Sequence, residues 1–251
     1  MINVILSGCN GKMGRVISNA AKDDETVKIV AGFDINTEKN FDYPVYGSLD
    51  EIKCAANVLI DFSHPANLEK ILSYCTKNNI SLVVATTGYT KEEVSKIHEA
   101  AKKIPVFYTA NMSVGVNLVS LLARQAARVL ADSFDIEIIE KHHNQKIDAP
   151  SGTALMLADE IKKELSTNPE YVYDRHSVRK KREKNEIGLH SVRGGNIVGE
   201  HTVIFAGNDE IVEITHKAAS KEVFALGSIR AAKFLSGKGA GLYNMQDIMN
   251  V

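Results

Sequence analysis

The chain opens on Ile2-Asn3-Val4-Ile5-Leu6, a short β-forming run that ends in Ser7-Gly8-Cys9-Asn10-Gly11-Lys12-Met13-Gly14, after which Arg15 to Lys22 reads as a helix. Strand, glycine turn and helix in immediate succession leave few folds open. Glycines at this spacing let the backbone pass close to another main chain or a ligand, and they aim a helix N-terminus, with its unsatisfied N–H groups, beyond the strand. The pattern then recurs. Val27 to Phe33 closes on Asp34, Val58 to Phe62 and Ser81 to Ala85 follow, and Val106 to Tyr108 is one more short strand. Helical stretches from Pro65 to Lys77 and from Lys91 to Lys102 stand between them. Strands alternating with helices predict βαβ units and a parallel sheet.

Character changes after Val114 to Leu130, a long apolar helix whose charges are confined to Arg124 and Arg128. The β-forming runs Phe134 to Glu140, Leu189 to Val192, His201 to Phe205 and Ile211 to His216, with one helix from Ser151 to Leu165 among them, predict a mixed or antiparallel sheet. From Lys221 to Val251 the chain is helical again, with Ala225, Ile229, Ala232 and Phe234 at helical spacing, then turns at Gly237 to Gly241. This tail is expected to return to the first domain. The expected fold class is α/β: a Rossmann-type dinucleotide-binding domain over residues 1–112 plus 220–251, and a second α+β domain carrying a mixed sheet over 113–219.

With 251 residues and 44% hydrophobic composition the chain can bury two modest cores. Its 30 basic and 31 acidic side chains leave a net charge of -1, so no global field gathers nucleic acid or an anionic membrane surface. A charged ligand must be met by a local cluster. The polar stretch Asn168 to Asn185 carries Arg175, Arg179, Lys180, Lys181, Arg182 and Lys184, but no aromatic or glycine pattern accompanies them, and it reads as a solvated, mobile loop. Cys9, Cys54 and Cys75 form no C-x-x-C pair and read as small buried hydrophobes in a reducing cytosol. Neither a basic leader nor an apolar run of about 18 residues is present, so a cytoplasmic chain is expected.

Gly8, Gly11 and Gly14 make G-x-x-G-x-x-G, a variant of the dinucleotide fingerprint in which backbone approaches a pyrophosphate. Asp34 follows at the end of the second strand, where a ribose diol would be read. Its carboxylate favours NAD by repelling a 2′-phosphate, while Lys12, Arg15 and Lys39 are near enough in sequence to offset that repulsion; NADH, NADPH or both are expected. Ala85-Thr86-Thr87-Gly88 and Thr109-Ala110-Asn111-Met112 follow strands and are expected cofactor contacts, although ordinary strand-end loops have the same composition.

The densest polar cluster is Glu140-Lys141-His142-His143-Asn144-Gln145-Lys146-Ile147-Asp148-Ala149-Pro150-Ser151-Gly152-Thr153-Ala154, where a β run gives way to a helix. Pro150 fits the first helical turn, and the N–H groups of Ser151, Gly152 and Thr153 would then form an anion site. With Lys146 and an imidazole beside it, such a site suits a small carboxylate substrate and proton transfer. Zinc would need a third or fourth ligand and no cysteine lies near, so no metal is expected. The competing structural reading makes Asp148 a helix cap and Lys146 a surface charge.

The motif H-H-x-x-K-x-D-A-P-S-G-T-A from His142 resembles the signature of the dihydrodipicolinate reductases. The resemblance extends in order through Ala85-Thr86-Thr87-Gly88, Ser113 to Asn117, Ile197 to Thr202, Glu213 to Ala218 and Leu235 to Lys238. It implies NAD(P)H-dependent reduction of 4-hydroxy-tetrahydrodipicolinate to tetrahydrodipicolinate with loss of water, in lysine and diaminopimelate biosynthesis. It also implies a second domain that binds this cyclic dicarboxylate and builds a homotetramer. His142 resembles the family's proton donor or acceptor, Lys146 its proton donor, His143 a substrate ligand, and Gly152 with Thr153 the carboxylate-binding helix start. Gly8, Cys9, Asn10, Gly11, Lys12, Met13 and Asp34 resemble the pyrophosphate and ribose contacts. Ala85, Thr86, Thr87, Thr109, Ala110, Asn111 and Met112 match positions near the nicotinamide. Two departures stand out: Ile35 and Asn36, not a basic residue, follow Asp34, and Met112 replaces a phenylalanine found in some members.

Other readings make different demands. A semialdehyde dehydrogenase needs a cysteine nucleophile in the second domain, where there is none, and a dinucleotide-sensing regulator needs a helix-turn-helix with a basic face.

Overall fold

The computed structural model describes residues 1–249. Asn250 and Val251, the end of the predicted tail, lie outside the described residues. The chain divides into two compact units, Met1–Ser113 with Lys221–Val251, and Val114–Ser220.

The first unit runs β1 (Ile2–Ser7), α1 (Lys12–Lys22), β2 (Val27–Phe33), β3 (Val45–Tyr46), β4 (Val58–Asp61), α2 (Leu68–Asn78), β5 (Ser81–Val84), α3 (Lys91–Ala101) and β6 (Pro105–Tyr108). Val4, Ile5, Leu6, Val58, Leu59, Ile60, Leu82 and Val83 are fully buried. Unbroken apolar runs of this kind belong to parallel strands covered on both faces. Helix α1 starts at Lys12, three residues before the sequence reading places it. Gly14 makes that possible, because a Cβ there would fall 2.1 Å from the carbonyl oxygen of Gly8. Gly8 itself has a φ of +77°, and a Cβ on it would meet the Phe62 carbonyl oxygen at 2.6 Å. Glycine is required at both positions.

In the second unit α4 (Val114–Leu130), β7 (Asp135–His142), α5 (Gly152–Lys162), β8 (Glu170–Val172), β9 (Glu186–Arg193), β10 (Gly199–Ala206) and β11 (Ile211–Ala218) build a mixed sheet of order β11-β10-β7-β9-β8. Strands β11, β10 and β7 pair antiparallel, and β7, β9 and β8 pair parallel. Ile136, Ile138, Leu189, Val203 and Phe205 point to one face and pack with Val119 and Ala123 of α4 and Leu157 and Ile161 of α5. Strict alternation of burial along β7 and β10 is what one helix-covered face demands.

The basic stretch after β8 departs from its expectation as a free, solvated loop. Arg182 donates to Asp135, Glu137 and the carbonyls of Ile136 and Glu186, while Arg175 bridges Glu137 and Glu186. Carboxylates on the sheet face recruit these arginines. Arg179 and Lys181 remain exposed.

The chain re-enters the first unit as α6 (Glu222–Leu235), then β12 (Gly241–Tyr243) and α7 (Met245–Met249). Strand β12 pairs parallel with β6 and completes the all-parallel order β12-β6-β5-β4-β1-β2-β3. The sequence reading misses β3, β8 and β12, each two or three residues long, because pairing and not periodicity makes them strands. No helix among the described residues is long and apolar enough to cross a membrane.

Gly14→Ala forces the turn and α1 apart. It should lower unfolding free energy by about 1–3 kcal/mol, the usual cost of overpacking, measured as an earlier urea transition of the circular dichroism signal. A transition at the wild-type midpoint would show that the turn tolerates a side chain.

Candidate active site

Parallel pairing brings the turns after β1, β2, β4, β5 and β6 to one edge of the first sheet. Strand order reverses between β1 and β4, and the glycine turn after β1 sits at that switch point, where open α/β sheets bind ligands. Asp34 at the end of β2 holds the turn. One carboxylate oxygen accepts the Asn10 N–H at 2.9 Å and the other the Asn36 N–H at 3.0 Å, leaving lone pairs for a hydroxyl. The Asn10 side chain donates to the Asn36 and Glu38 carbonyls at 2.7 and 2.8 Å. Cys9 is buried with its Sγ against Gly32; burial, and then Asp34, raise the thiol to about 11. Gly11 caps α1 without a side-chain hydrogen bond, so the N–H groups at the start of Lys12 and Met13 face outward. Backbone room, a helix N-terminus free of a side-chain cap and a neighbouring carboxylate fit a dinucleotide.

Along the same edge Thr86 is less available than its position promised. Its hydroxyl donates to Asp61 at 2.9 Å, and Ser63 and Tyr89 complete the shell of that buried carboxylate. Ala85 is buried and Thr87 exposed. Thr109 donates to the Asn111 carbonyl at 3.3 Å, and the Asn111 side chain accepts from the Ser113 N–H at 2.8 Å. Met112 is buried, its carbonyl so close to α6 that a Cβ on Gly227 would meet it at 1.8 Å. Thr87, Gly88 and Ala110 are the exposed members of the two loops.

In the second unit β7 ends in an acid and a base at core-facing positions. Glu140 is fully buried and His142 is 9% exposed. The His142 Nδ1 lies 2.6 Å from one Glu140 oxygen; Arg193 donates to both oxygens at 2.7 and 2.8 Å, and the Ser151 N–H to one at 3.1 Å. Burial works to raise Glu140, but hydrogen bonds from Arg193, His142 and Ser191 outweigh it and hold the carboxyl at about 2. Burial lowers His142, with Glu140 opposing. His201, on β10, places its ring 5.2 Å from that of His142 and its Nε2 3.0 Å from the Ser151 hydroxyl. Burial, with a contribution from His142, lowers His201 to about 4.

Two expectations about the helix start change. Pro150 lies outside the first turn: Ser151 is the N-cap, its hydroxyl accepting from Ala154 N–H at 3.2 Å, and α5 begins at Gly152. The Ser151 N–H is committed to Glu140 and is no anion donor. Gly152 and Thr153 remain at the positive end of the helix, Gly152 exposed, with open space where a Cβ would stand. In the loop between, Lys146 pairs with Asp148 at 2.8 Å, and the His143 Nδ1 is buried without a hydrogen-bond partner among the described residues. No group of three potential metal ligands occurs among the described residues.

Comparison with known proteins gives this geometry a family. Residues 2–112 match the model of the dihydrodipicolinate reductase N-terminus and residues 115–249 that of its C-terminus. The chain belongs to the dihydrodipicolinate reductase family. A 4-hydroxy-tetrahydrodipicolinate reductase of Clostridium tetani is 50% identical over 100% of this chain and 98% of its own. One of Caldanaerobacter subterraneus is 51% identical over 99% and 98%. A solved dihydrodipicolinate reductase from a Paenisporosarcina species, with dipicolinate bound, shares the fold at a TM-score of 0.82 and 24% identity, over 98% of each chain.

Set in a dihydrodipicolinate reductase, the unassigned members of the cluster are Glu140, Arg193 and His201. A signal for two of them was present: Glu140 and His201 fall at the core parity of β7 and β10, in step with Ile136, Ile138, Val203 and Phe205. A polar residue at such a position needs a partner or a task. Arg193 carried no such mark, because its partner lies 53 residues away.

Because His201 titrates near 4 when folded and near 6.5 when unfolded, the unfolded chain binds the extra proton first as pH falls. Stability is full above pH 6.5 and drops towards pH 4, by at most about 3 kcal/mol from this group. Urea midpoints measured across that window should fall in the wild type and flatten in His201→Gln; equal slopes would remove His201 as the cause.

Proposed function

We propose that this chain reduces 4-hydroxy-tetrahydrodipicolinate to tetrahydrodipicolinate with loss of water, using NADH or NADPH, in lysine and diaminopimelate biosynthesis. Relatives about half identical over the whole length bear that name. The observation that carries the reading is an imidazole locked on an ionised carboxylate beside the N-terminus of α5.

Gly8, Cys9, Asn10, Gly11, Lys12 and Met13 hold the pyrophosphate and Asp34 the ribose, while Ala85, Thr86, Thr87, Thr109, Ala110, Asn111 and Met112 border the nicotinamide. A bound nicotinamide would supply hydride to ring carbon C4, and the proton that His142 takes during loss of water would return to the neighbouring ring carbon. Gly152 and Thr153 bind a ring carboxylate with backbone N–H groups at the helix's positive end, and His143 is a second contact. Loss of water requires a base for a carbon-bound proton and an acid for the departing hydroxyl. Depression of its pKa keeps His142 neutral near pH 7, which makes it the base, and the Lys146 ammonium is the acid and the counter-charge to the electron-rich ring. The second unit builds a homotetramer through the sheet face opposite α4 and α5, where Val192 and Ile211 are exposed. Three free thiols, Cys9 and Cys75 buried as expected but Cys54 exposed at the surface, support a cytoplasmic location.

A coupled assay that feeds fresh synthase product with NADH or NADPH and follows loss of nucleotide absorbance tests the reaction; no nucleotide oxidation would reject it. Lys146→Ala and His142→Ala should each cut turnover at least about 100-fold and leave NADH affinity unchanged. Turnover within threefold of wild type in both would return the motif to a charged loop.

Asp34→Ala should weaken NADH more than NADPH, because it removes the ribose acceptor and the repulsion of a 2′-phosphate together. Titration of nucleotide fluorescence measures both affinities. A hundredfold preference of the wild type for NADPH would overturn this role of Asp34.

A further inference from the structure

We propose that Glu140, clamped by Arg193, is a positioning residue that sets the tautomer of His142 and the placement of the α5 N-terminus together. It rests on the reading of His142 as the base. Glu140 is completely buried on the core-facing side of β7, where a lone carboxyl would give up its charge by taking a proton. Donors converge on it and keep it ionised: Arg193 through two contacts, the Ser151 N–H, His142 and the Ser191 side chain.

An ionised carboxylate only accepts. The proton between the two must therefore sit on His142 Nδ1, and Nε2 is left with the lone pair that a base needs. Glycine at position 199 leaves room for that nitrogen, since a Cβ there would lie 3.1 Å from Nε2. The second consequence is spatial. The Ser151 N–H on Glu140 seats the cap of α5, and so fixes Gly152 and Thr153 relative to the imidazole. Arg193 also donates to the Asp148 carbonyl at 2.7 Å, and the Asp148 side chain holds Lys146. Imidazole, helix start and ammonium thus hang from one buried ion pair.

A merely structural ion pair would change stability and nothing else, so the test reads the imidazole itself. Long-range proton–nitrogen NMR of the protein labelled with nitrogen-15 in its histidines, without substrate, reports each tautomer, and loss of signal in His142→Gln assigns it. The expected result is the Nδ1–H form in the wild type and a mixture of tautomers in Glu140→Gln, whose side chain both donates and accepts. Glu140→Gln should lower kcat on the order of 100-fold and raise KM for the dicarboxylate, with NADH affinity unchanged. Arg193→Lys, which keeps charge but loses the two-pronged grip, should fall between.

An Nε2–H tautomer in the wild type overturns the proposal, and that measurement needs no variant to fold. So does wild-type kcat in a folded Glu140→Gln while His142→Ala is inactive. Retained turnover in His142→Ala would instead reject the reading of His142 as base, whatever the tautomer.

Discussion

A parallel sheet can be built only by carrying the chain back between successive strands, and this leaves every strand's carboxyl end at one edge. In the first unit that edge collects the glycine turn, Asp34, Asp61 and the loops after β5 and β6, from positions spread over about a hundred residues of chain. Close backbone approach there is tolerated because Gly8 and Gly14 have no side chains: one passes Phe62, the other passes Gly8. The turn is then fixed from the side by hydrogen bonds to Asp34 and by the Asn10 side chain reaching the segment after β2. A ligand that meets this edge meets a preformed surface.

The second unit solves a different problem, that of keeping charge inside a core. Its sheet has one helix-covered face, and Glu140, His142 and His201 point into that face at its end, where Ile136, Ile138, Val203 and Phe205 give way to polar residues. Arg193 and the α5 cap supply the compensating donors. Charge in a poorly solvated place is held in one arrangement, because any rearrangement would strand a donor or acceptor. That is the physical reason such a cluster can orient an imidazole. Carboxylates on the opposite face, Asp135 and Glu137, stay near the surface and are met by Arg175 and Arg182 from the basic loop.

The two units differ in how they would recognise a ligand. The first offers backbone N–H groups and one carboxylate, which fits a long, phosphorylated partner. The second concentrates ionisable side chains around the N-terminus of an eleven-residue helix, which suits a small ring bearing carboxylates and undergoing proton transfer.

The sequence by itself determined the strand–turn–helix start, the alternation that makes a parallel sheet and the change to a mixed sheet after α4, because these depend on local periodicity and on glycines whose need is local. It also picked out the loop from Glu140 to Thr153, through the density of ionisable residues beside a helix start. Tertiary structure alone decided that the Ser151 N–H is spent on Glu140, that Thr86 is tied to Asp61, and that Arg175 and Arg182 serve the sheet instead of solvent. It alone brought Arg193 and His201 to His142, and made strands of Val45–Tyr46 and Gly241–Tyr243. Each of these depends on a partner 11 to 136 residues away in sequence, and the type of a residue says what bond it needs but not which distant group the fold will bring within reach.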